Sequence, residues 1–283
     1  MLKFLPSDLR ETAKSFPMGK LTEIRVRAGQ KTVFILRGEN GSVRREFGRA
    51  LPEEEIEKTV LKLCGHSLYL AEDSLRKGFV TSEEGERVGV CGKVVEGERG
   101  VNYVRFTSLC IRFPHEVIGC ADFFFREYYR KKQGNCLVAS PPYHGKTTYI
   151  RDLGRLISDE LNENVLFLDE REELSGNGRF RLGGNSDVLI GADKRFGFEN
   201  GVRVMHPDVI VCDEIIGKED ADSVAFAARS GVRVIASVHA DDYEELLGKD
   251  GIGEGLGKGL FRYLVILENG KPKEVRTVCG NSC

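Results

Sequence analysis

Apolar and polar positions follow two different rhythms along the chain. Up to residue 114 the elements are mixed. Residues 6–16 space their apolar positions as a short amphipathic helix does. Residues 21–27, Leu-Thr-Glu-Ile-Arg-Val-Arg, alternate as a half-buried strand, and residues 32–36 predict a second strand after a turn at 28–31. Asn40-Gly41 signals a turn. A helix is expected from Pro52, with acids in its first turn and an apolar side of Ile56, Val60, Leu61 and Leu63. Residues 87–95, 101–106 and 108–113 predict three further strands. This is the pattern of an α+β module.

After Pro114 and His115 the rhythm changes, and we place the domain boundary there, giving domains 1–114 and 115–283. Residues 117–130 predict a helix carrying Phe123, Phe124, Phe125, Tyr128 and Tyr129, ended by basic residues and Gly134. The aromatic cluster is expected to pack the helix rather than to stack bases, because no basic groove surrounds it. Four-residue apolar runs then alternate with helical stretches: Cys136-Leu-Val-Ala139, Val165-Leu-Phe-Leu168, Val209-Ile-Val-Cys212, and the run before His239. Strand-then-helix order of this kind predicts a parallel-rich sheet with its ligand at the carboxyl ends of the strands.

The chemistry sits at those strand ends. The stretch Ser140-Pro-Pro-Tyr-His-Gly-Lys-Thr-Thr148 follows one apolar run and precedes helical spacing at Ile150, Leu153, Leu156 and Ile157. Strand, tight loop ending in Gly-Lys-Thr, then helix is the layout of a phosphate-binding P-loop. Loop N–H groups and the helix N-terminus would face the phosphates. Residues 140–148, namely Ser140, Pro141, Pro142, Tyr143, His144, Gly145, Lys146, Thr147 and Thr148, are the candidate ATP-binding set. Lys146 would supply a cation to the β- and γ-phosphates, and Thr147 a hydroxyl ligand to Mg²⁺. Ser140 stands where the first glycine of the motif is usual, and it lacks glycine's freedom at positive φ.

A second apolar run ends in Asp213-Glu214, a Walker B arrangement. Asp213 would hold Mg²⁺, and Glu214 would orient and deprotonate the attacking water. His239 ends the last of these strands, where a γ-phosphate could be sensed.

Composition narrows the setting. The chain has 283 residues, 41% hydrophobic and 30% charged, which is ordinary for a globular protein of one large or two modest domains. A net charge of -2 offers no bulk attraction to nucleic acid. No apolar run approaches a membrane span, and the N-terminus reads as too short and polar for a signal peptide. The eight cysteines are scattered without a two-residue gap, which fits a reducing cytoplasm. Cys136 and Cys212 lie in apolar runs as core residues, whereas Cys279 and Cys283 are expected in a frayed tail.

Taken together, the residues resemble the sporulation stage III AA family, which is similar to type II and type IV secretion ATPases. The resemblance runs nearly end to end. It is carried by Leu21-Thr-Glu-Ile-Arg-Val-Arg-Ala-Gly29, Arg87-Val-Gly-Val-Cys-Gly92, Ser108-Leu-Cys-Ile-Arg112, Pro141-Pro142 with Gly145-Lys-Thr-Thr148, and Arg151-Asp-Leu153. Asp169-Glu-Arg171, Asp187-Val-Leu189, Pro207-Asp-Val-Ile-Val211 and Asp213-Glu-Ile215 complete it. The resemblance implies an α/β, RecA-like P-loop ATPase domain preceded by a smaller α+β domain, assembled as a hexameric ring. It matches Asp169 and Glu170 to an acidic box, Ser237 and His239 to a histidine box, and Arg203 to an arginine before Walker B. Arg112, in the N-terminal domain, joins the nucleotide-binding set on the same ground. The implied activity is ATP hydrolysis that powers assembly of, or transport through, a membrane-spanning channel during sporulation. The implied partners are copies of the same chain and membrane-embedded channel components, with the protein cytoplasmic and peripheral at the inner face of a membrane. Two other readings share the residues: a RecA-like nucleic-acid motor, and a non-catalytic nucleotide-gated scaffold favoured by Ser140, Tyr143 and His144. Ile216 before Gly217 is a further departure from the family pattern.

Overall fold

The chain divides into two units, Met1–His115 and Glu116–Cys283. The computed structural model describes residues 2–278 apart from residues 18, 39, 40, 82–86, 98, 99, 114, 143 and 177. Asn40, Pro114, Tyr143, Cys279 and Cys283 therefore lie outside the described residues.

The first unit contains α1 (Ser7–Ser15), β1 (Leu21–Arg27), β2 (Lys31–Gly38), β3 (Gly41–Ala50), α2 (Glu53–Leu63), α3 (Glu72–Arg76), β4 (Phe79–Thr81), β5 (Arg87–Gly97) and β6 (Gly100–Arg112). Its strands form one sheet in the order β3-β2-β1-β6-β5-β4, and every pairing is antiparallel. Leu21, Ile24 and Val26 of β1 point into a core shared with Leu9 of α1 and Ile56 and Val60 of α2. Two departures from the sequence expectation stand out. Residues 101–106 and 108–113, expected as two strands, form the single strand β6. Its partner β5 absorbs the irregularity through register shifts at Cys91/Gly92 and Lys93/Val94. The strand β3 was not predicted at all. Its residues 42–50 are exposed, so no burial alternation marks it.

The second unit contains α4 (Asp122–Phe124), β7 (Cys136–Ser140), α5 (Lys146–Leu161), β8 (Val165–Asp169), β9 (Ser186–Ile190), α6 (Lys194–Asn200), β10 (Val209–Cys212), α7 (Gly217–Arg229), β11 (Arg233–His239), α8 (Tyr243–Gly248), α9 (Ile252–Gly257), β12 (Tyr263–Glu268) and β13 (Lys271–Thr277). The sheet order is β13-β12-β7-β11-β10-β8-β9. All pairs are parallel except β12 with β13. The fold is thus α/β with a mixed, parallel-rich sheet. Strands β7, β8 and β10 are buried at every position, as expected for parallel strands covered on both faces. One apolar cluster lies on each face of the sheet. Ile150, Leu153 and Ile157 of α5 belong to one, and Val224 and Ala227 of α7 to the other. Gly154 lets α5 approach the sheet, because a Cβ there would stand 2.6 Å from the Phe167 ring. Asn162 closes α5 in the left-handed region at φ 56°.

The helix expected over residues 117–130 is shorter and differently wound. Residues 117–121 are not helical. α4 begins after Ala121, whose N–H donates to Asp152 Oδ2 at 2.9 Å, and runs into a π-helical turn over Phe125–Tyr129. The wider turn allows Phe124, Phe125 and Tyr129 all to enter one core cluster. Cys136 and Cys212 are fully buried in the sheet.

Candidate functional site

The loop between β7 and α5 is built by strand register and helix entry. Ser140 ends β7 and lies opposite His239 at the end of β11. It is fully buried, and it is absent from the described residues with positive φ. The serine therefore needs none of the left-handed freedom a glycine would supply. The left-handed position falls instead at Gly145, φ 88°, which caps the N-terminus of α5. The carbonyl of His144 accepts a hydrogen bond from Gly270 N at 3.0 Å, so the β12–β13 turn clasps the loop. His144 Nδ1 is buried without a hydrogen-bond partner among the described residues. Pro141 is partly buried and Pro142 exposed, and the Thr148 carbonyl lies 3.8 Å from Cys120 Sγ.

Lys146 is the first residue of α5, and its side chain turns back over the loop. Its Nζ donates to Ser140 O at 2.8 Å and Pro141 O at 2.9 Å, and contacts His239 Nδ1 at 2.7 Å. An ammonium has three protons, and these acceptors match them. Nδ1 of His239 then accepts, which leaves Nε2 to carry the ring proton toward Glu214 Oε1 at 3.3 Å. Burial pushes the Lys146 pKa below its ordinary value, opposed by the negative charges of Asp213 and Glu214.

Asp213 and Glu214 follow β10, which pairs in parallel with β11. Thr147 Oγ1 donates to Asp213 Oδ2 at 2.6 Å. Ser237 Oγ donates to Asp213 Oδ1 and accepts from Glu214 N at 2.9 Å. One buried hydroxyl on β11 thus holds the carboxylate and the next backbone amide together. Glu214 itself adopts φ 48°. Thr147 and Asp213 offer hard oxygen donors at one point, the chemistry Mg²⁺ selects. Among the described residues no group of three or more His, Cys, Asp or Glu could hold a metal by itself. The pair fits a cation that keeps waters and phosphate oxygens as its other ligands.

Glu170, just beyond β8, lies with Arg171, Lys194, Asp213 and Glu214 around one cleft. Glu170 Oε2 is 3.2 Å from Lys194 Nζ. Asp169, by contrast, is buried and spent on its own loop. It accepts from Leu174 N, Ser175 N and Ser175 Oγ at 3.0, 2.8 and 2.6 Å. Two residues of the cleft were missed by sequence reasoning. Lys194 opens α6 behind the cap Asp193, whose side chain accepts from Phe196 N; that Asp-Lys helix start was the available signal. Burial alone would lower the Lys194 pKa, but Asp220 and Glu170 outweigh it and hold it above its ordinary value. Arg171 Nη1 lies 2.9 Å from Glu214 Oε2, a partnership across 43 positions that no local signal announces.

Within the second unit Arg203, Arg195 and Arg181 are exposed. Arg203 is exposed on a π-helical turn, Gly201–Met205, and its side chain makes no hydrogen bond or ion pair among the described residues. Arg195 pairs with Glu199 at 3.3 Å, and Arg181 with Asp159 at 2.9 Å. Arg112 belongs to the first unit, at the end of β6, 3.8 Å from Glu23.

Comparison with known proteins follows the same lines. The chain is 32% identical over 256 residues to "Stage III sporulation protein AA" of Bacillus subtilis (strain 168), covering 86% of this chain and 82% of that protein. Among solved structures it is similar to the pilus retraction motor PilT with bound ADP, with a TM-score of 0.64 at 16% identity, over 92% of this chain and 76% of that one. It is similar also to the Legionella pneumophila ATPase DotB, with a TM-score of 0.62 at 15% identity, over 90% of this chain and 73% of that one. At such identities the likeness is one of fold. The model of the family described as "Sporulation stage III, protein AA" matches residues 2–282, and the chain belongs to that family.

Proposed function

We propose that this protein is a Mg²⁺-dependent ATP hydrolase that works as a ring of identical subunits, powering assembly of, or transport through, a membrane channel during sporulation. The observation that carries the reading is the convergence of Lys146, Thr147, Asp213, Glu214 and His239 at the carboxyl ends of β7, β10 and β11. Lys146 would turn from its loop carbonyls to the β- and γ-phosphates. The N–H groups of the loop through Gly145 and the N-terminus of α5 would hold the remaining phosphate oxygens. Thr147 and Asp213 would hold Mg²⁺, which offsets phosphate charge when bound. Glu214 would accept the proton of the attacking water, with Glu170 as the neighbouring carboxylate. His239 bridges the cation of the loop to Glu214 and would report phosphate occupancy to it. Arg203, exposed and without a side-chain partner among the described residues, is suited to completing the site of a neighbouring subunit. Arg112 remains the contribution proposed for the N-terminal unit.

Among the described residues no helix is long and apolar enough to cross a membrane. The reading places the protein in the cytoplasm at the inner face of a membrane, held by membrane-embedded channel components. The test is phosphate release from ATP by the purified full chain, with and without Mg²⁺, alongside size by light scattering. Mg²⁺-dependent turnover that rises as larger assemblies form is expected. Tight ATP binding without turnover under any condition would leave the scaffold reading in its place.

A further inference from the structure

Two of the carboxylates lining the cleft, Glu170 and Glu214, are each partnered by their own cation. Glu170 faces Lys194 at 3.2 Å, and Lys194 also faces Asp220 at 3.7 Å. Asp220 in turn accepts the Ile216 N–H at 2.6 Å. With only 14% of its side chain exposed and two acids around it, Lys194 is fixed by packing. Glu214 is engaged differently. Its Oε1 lies 3.3 Å from His239 Nε2, and its Oε2 lies 2.9 Å from Arg171 Nη1. Each oxygen of the carboxylate thus already accepts one partner, and these two partners set where the remaining lone pairs point, whereas a general base needs a lone pair directed at the proton it takes.

The two partners of Glu214 are not equally able to leave. His239 belongs to β11, and its ring is held on the other side by Lys146. Arg171 lies in the turn after β8, beside Glu172 at φ 57°, and its side chain is 58% exposed. It can move into solvent without disturbing a strand.

We infer that Arg171 is a positioning residue that keeps Glu214 turned from the attacking water, so that its release sets the fraction of protein competent for hydrolysis. This rests on the ATPase reading above. Exposed ion pairs favour the paired state by up to about fivefold, so removing Arg171 gives an expected acceleration of about two- to fivefold. The opposite role, in which Arg171 aims Glu214 at the water, predicts a slower reaction.

The experiment is single-turnover ATP hydrolysis, with the full chain in excess over Mg²⁺-ATP and above its dissociation constant, comparing the parent with Arg171→Ala and Arg171→Lys. Affinity for a non-hydrolysable ATP analogue and the melting temperature are measured on the same samples. Arg171→Ala should hydrolyse two- to fivefold faster with unchanged affinity, and Arg171→Lys should return toward the parent because an ammonium can still pair. Adding Glu214→Gln should erase the acceleration. If Arg171→Ala is unchanged or slower beside an active parent, the inference is overturned while the ATPase reading stands. Acceleration that persists with Glu214→Gln also overturns it, because the effect would not pass through Glu214. A parent without turnover overturns the ATPase reading, and this inference with it.

Discussion

Lys146 Nζ lies 2.7 Å from His239 Nδ1, so the cation of the loop and the imidazole at the end of β11 share one hydrogen bond. The two residues are 93 positions apart and meet because β7 and β11 are parallel neighbours in register at Ser140 and His239. The ammonium is buried and its alternative acceptors are loop carbonyls. Phosphate oxygens are stronger acceptors for it than either.

Lys146→Ala should therefore cost nucleotide binding far more than it costs the fold. Loss of a hydrogen bond to a charged group is worth about 1.5–3 kcal/mol, so affinity for ATP should fall about ten- to hundredfold. Titration calorimetry with ATP on a variant that melts near the parent temperature checks this. Unchanged affinity would remove Lys146 from the site.

Asp213 and Glu214 should separate in mutation. Glu214→Gln keeps size and hydrogen bonding but cannot accept the proton of water. Binding should survive while hydrolysis falls by about a hundredfold or more. Asp213→Asn should instead raise the Mg²⁺ concentration needed for half-maximal ATP binding. Measuring affinity and turnover on both variants side by side decides between these roles, and normal hydrolysis by Glu214→Gln would exclude it as the base.

Ser237 is a fully buried hydroxyl that donates to Asp213 and accepts from the Glu214 amide. Ser237→Ala leaves both groups without that partner. A buried group left unsatisfied costs about 1–3 kcal/mol. The melting temperature should fall by a few degrees and Mg²⁺ affinity should weaken together. Differential scanning calorimetry and Mg²⁺ titration measure the two effects. A stable variant with parental Mg²⁺ affinity would show that the bridge does not order Asp213.

Arg203 has no partner among the described residues of its own chain, and its expected contact is a neighbouring subunit. Specific activity of the parent should rise with protein concentration. Arg203→Ala should lose about a thousandfold in turnover, the scale of arginine fingers in related chemistry, with ATP affinity per subunit little changed. Equal turnover in the variant, or activity flat with concentration, would assign completion of the site elsewhere.

Local chemistry determined where the strands and the phosphate loop fall. The runs that became β7, β8 and β10 are short and continuously apolar because parallel strands are covered on both faces. Gly145-Lys-Thr147 is legible because a helix entry from a left-handed residue is a requirement a few residues satisfy by themselves. The same reasoning could not see β3 or β13. β3 is an edge strand whose residues 42–50 all stay exposed, so burial prints no alternation on it, and β13 is an edge strand of charged and partly buried residues with few apolar side chains. Nor could it see the π-helical turn at Phe125–Tyr129, which answers to the core that receives the aromatic rings and not to helical spacing. Above all, the partners of the strand-end residues depend on the order of strands in the sheet. Ser237 reaches Asp213 because β11 lies beside β10, and Arg171 reaches Glu214 because β8 lies on its other side. That order is fixed by which faces of the helices bury against the sheet, a long-range packing choice that no stretch of the chain encodes alone.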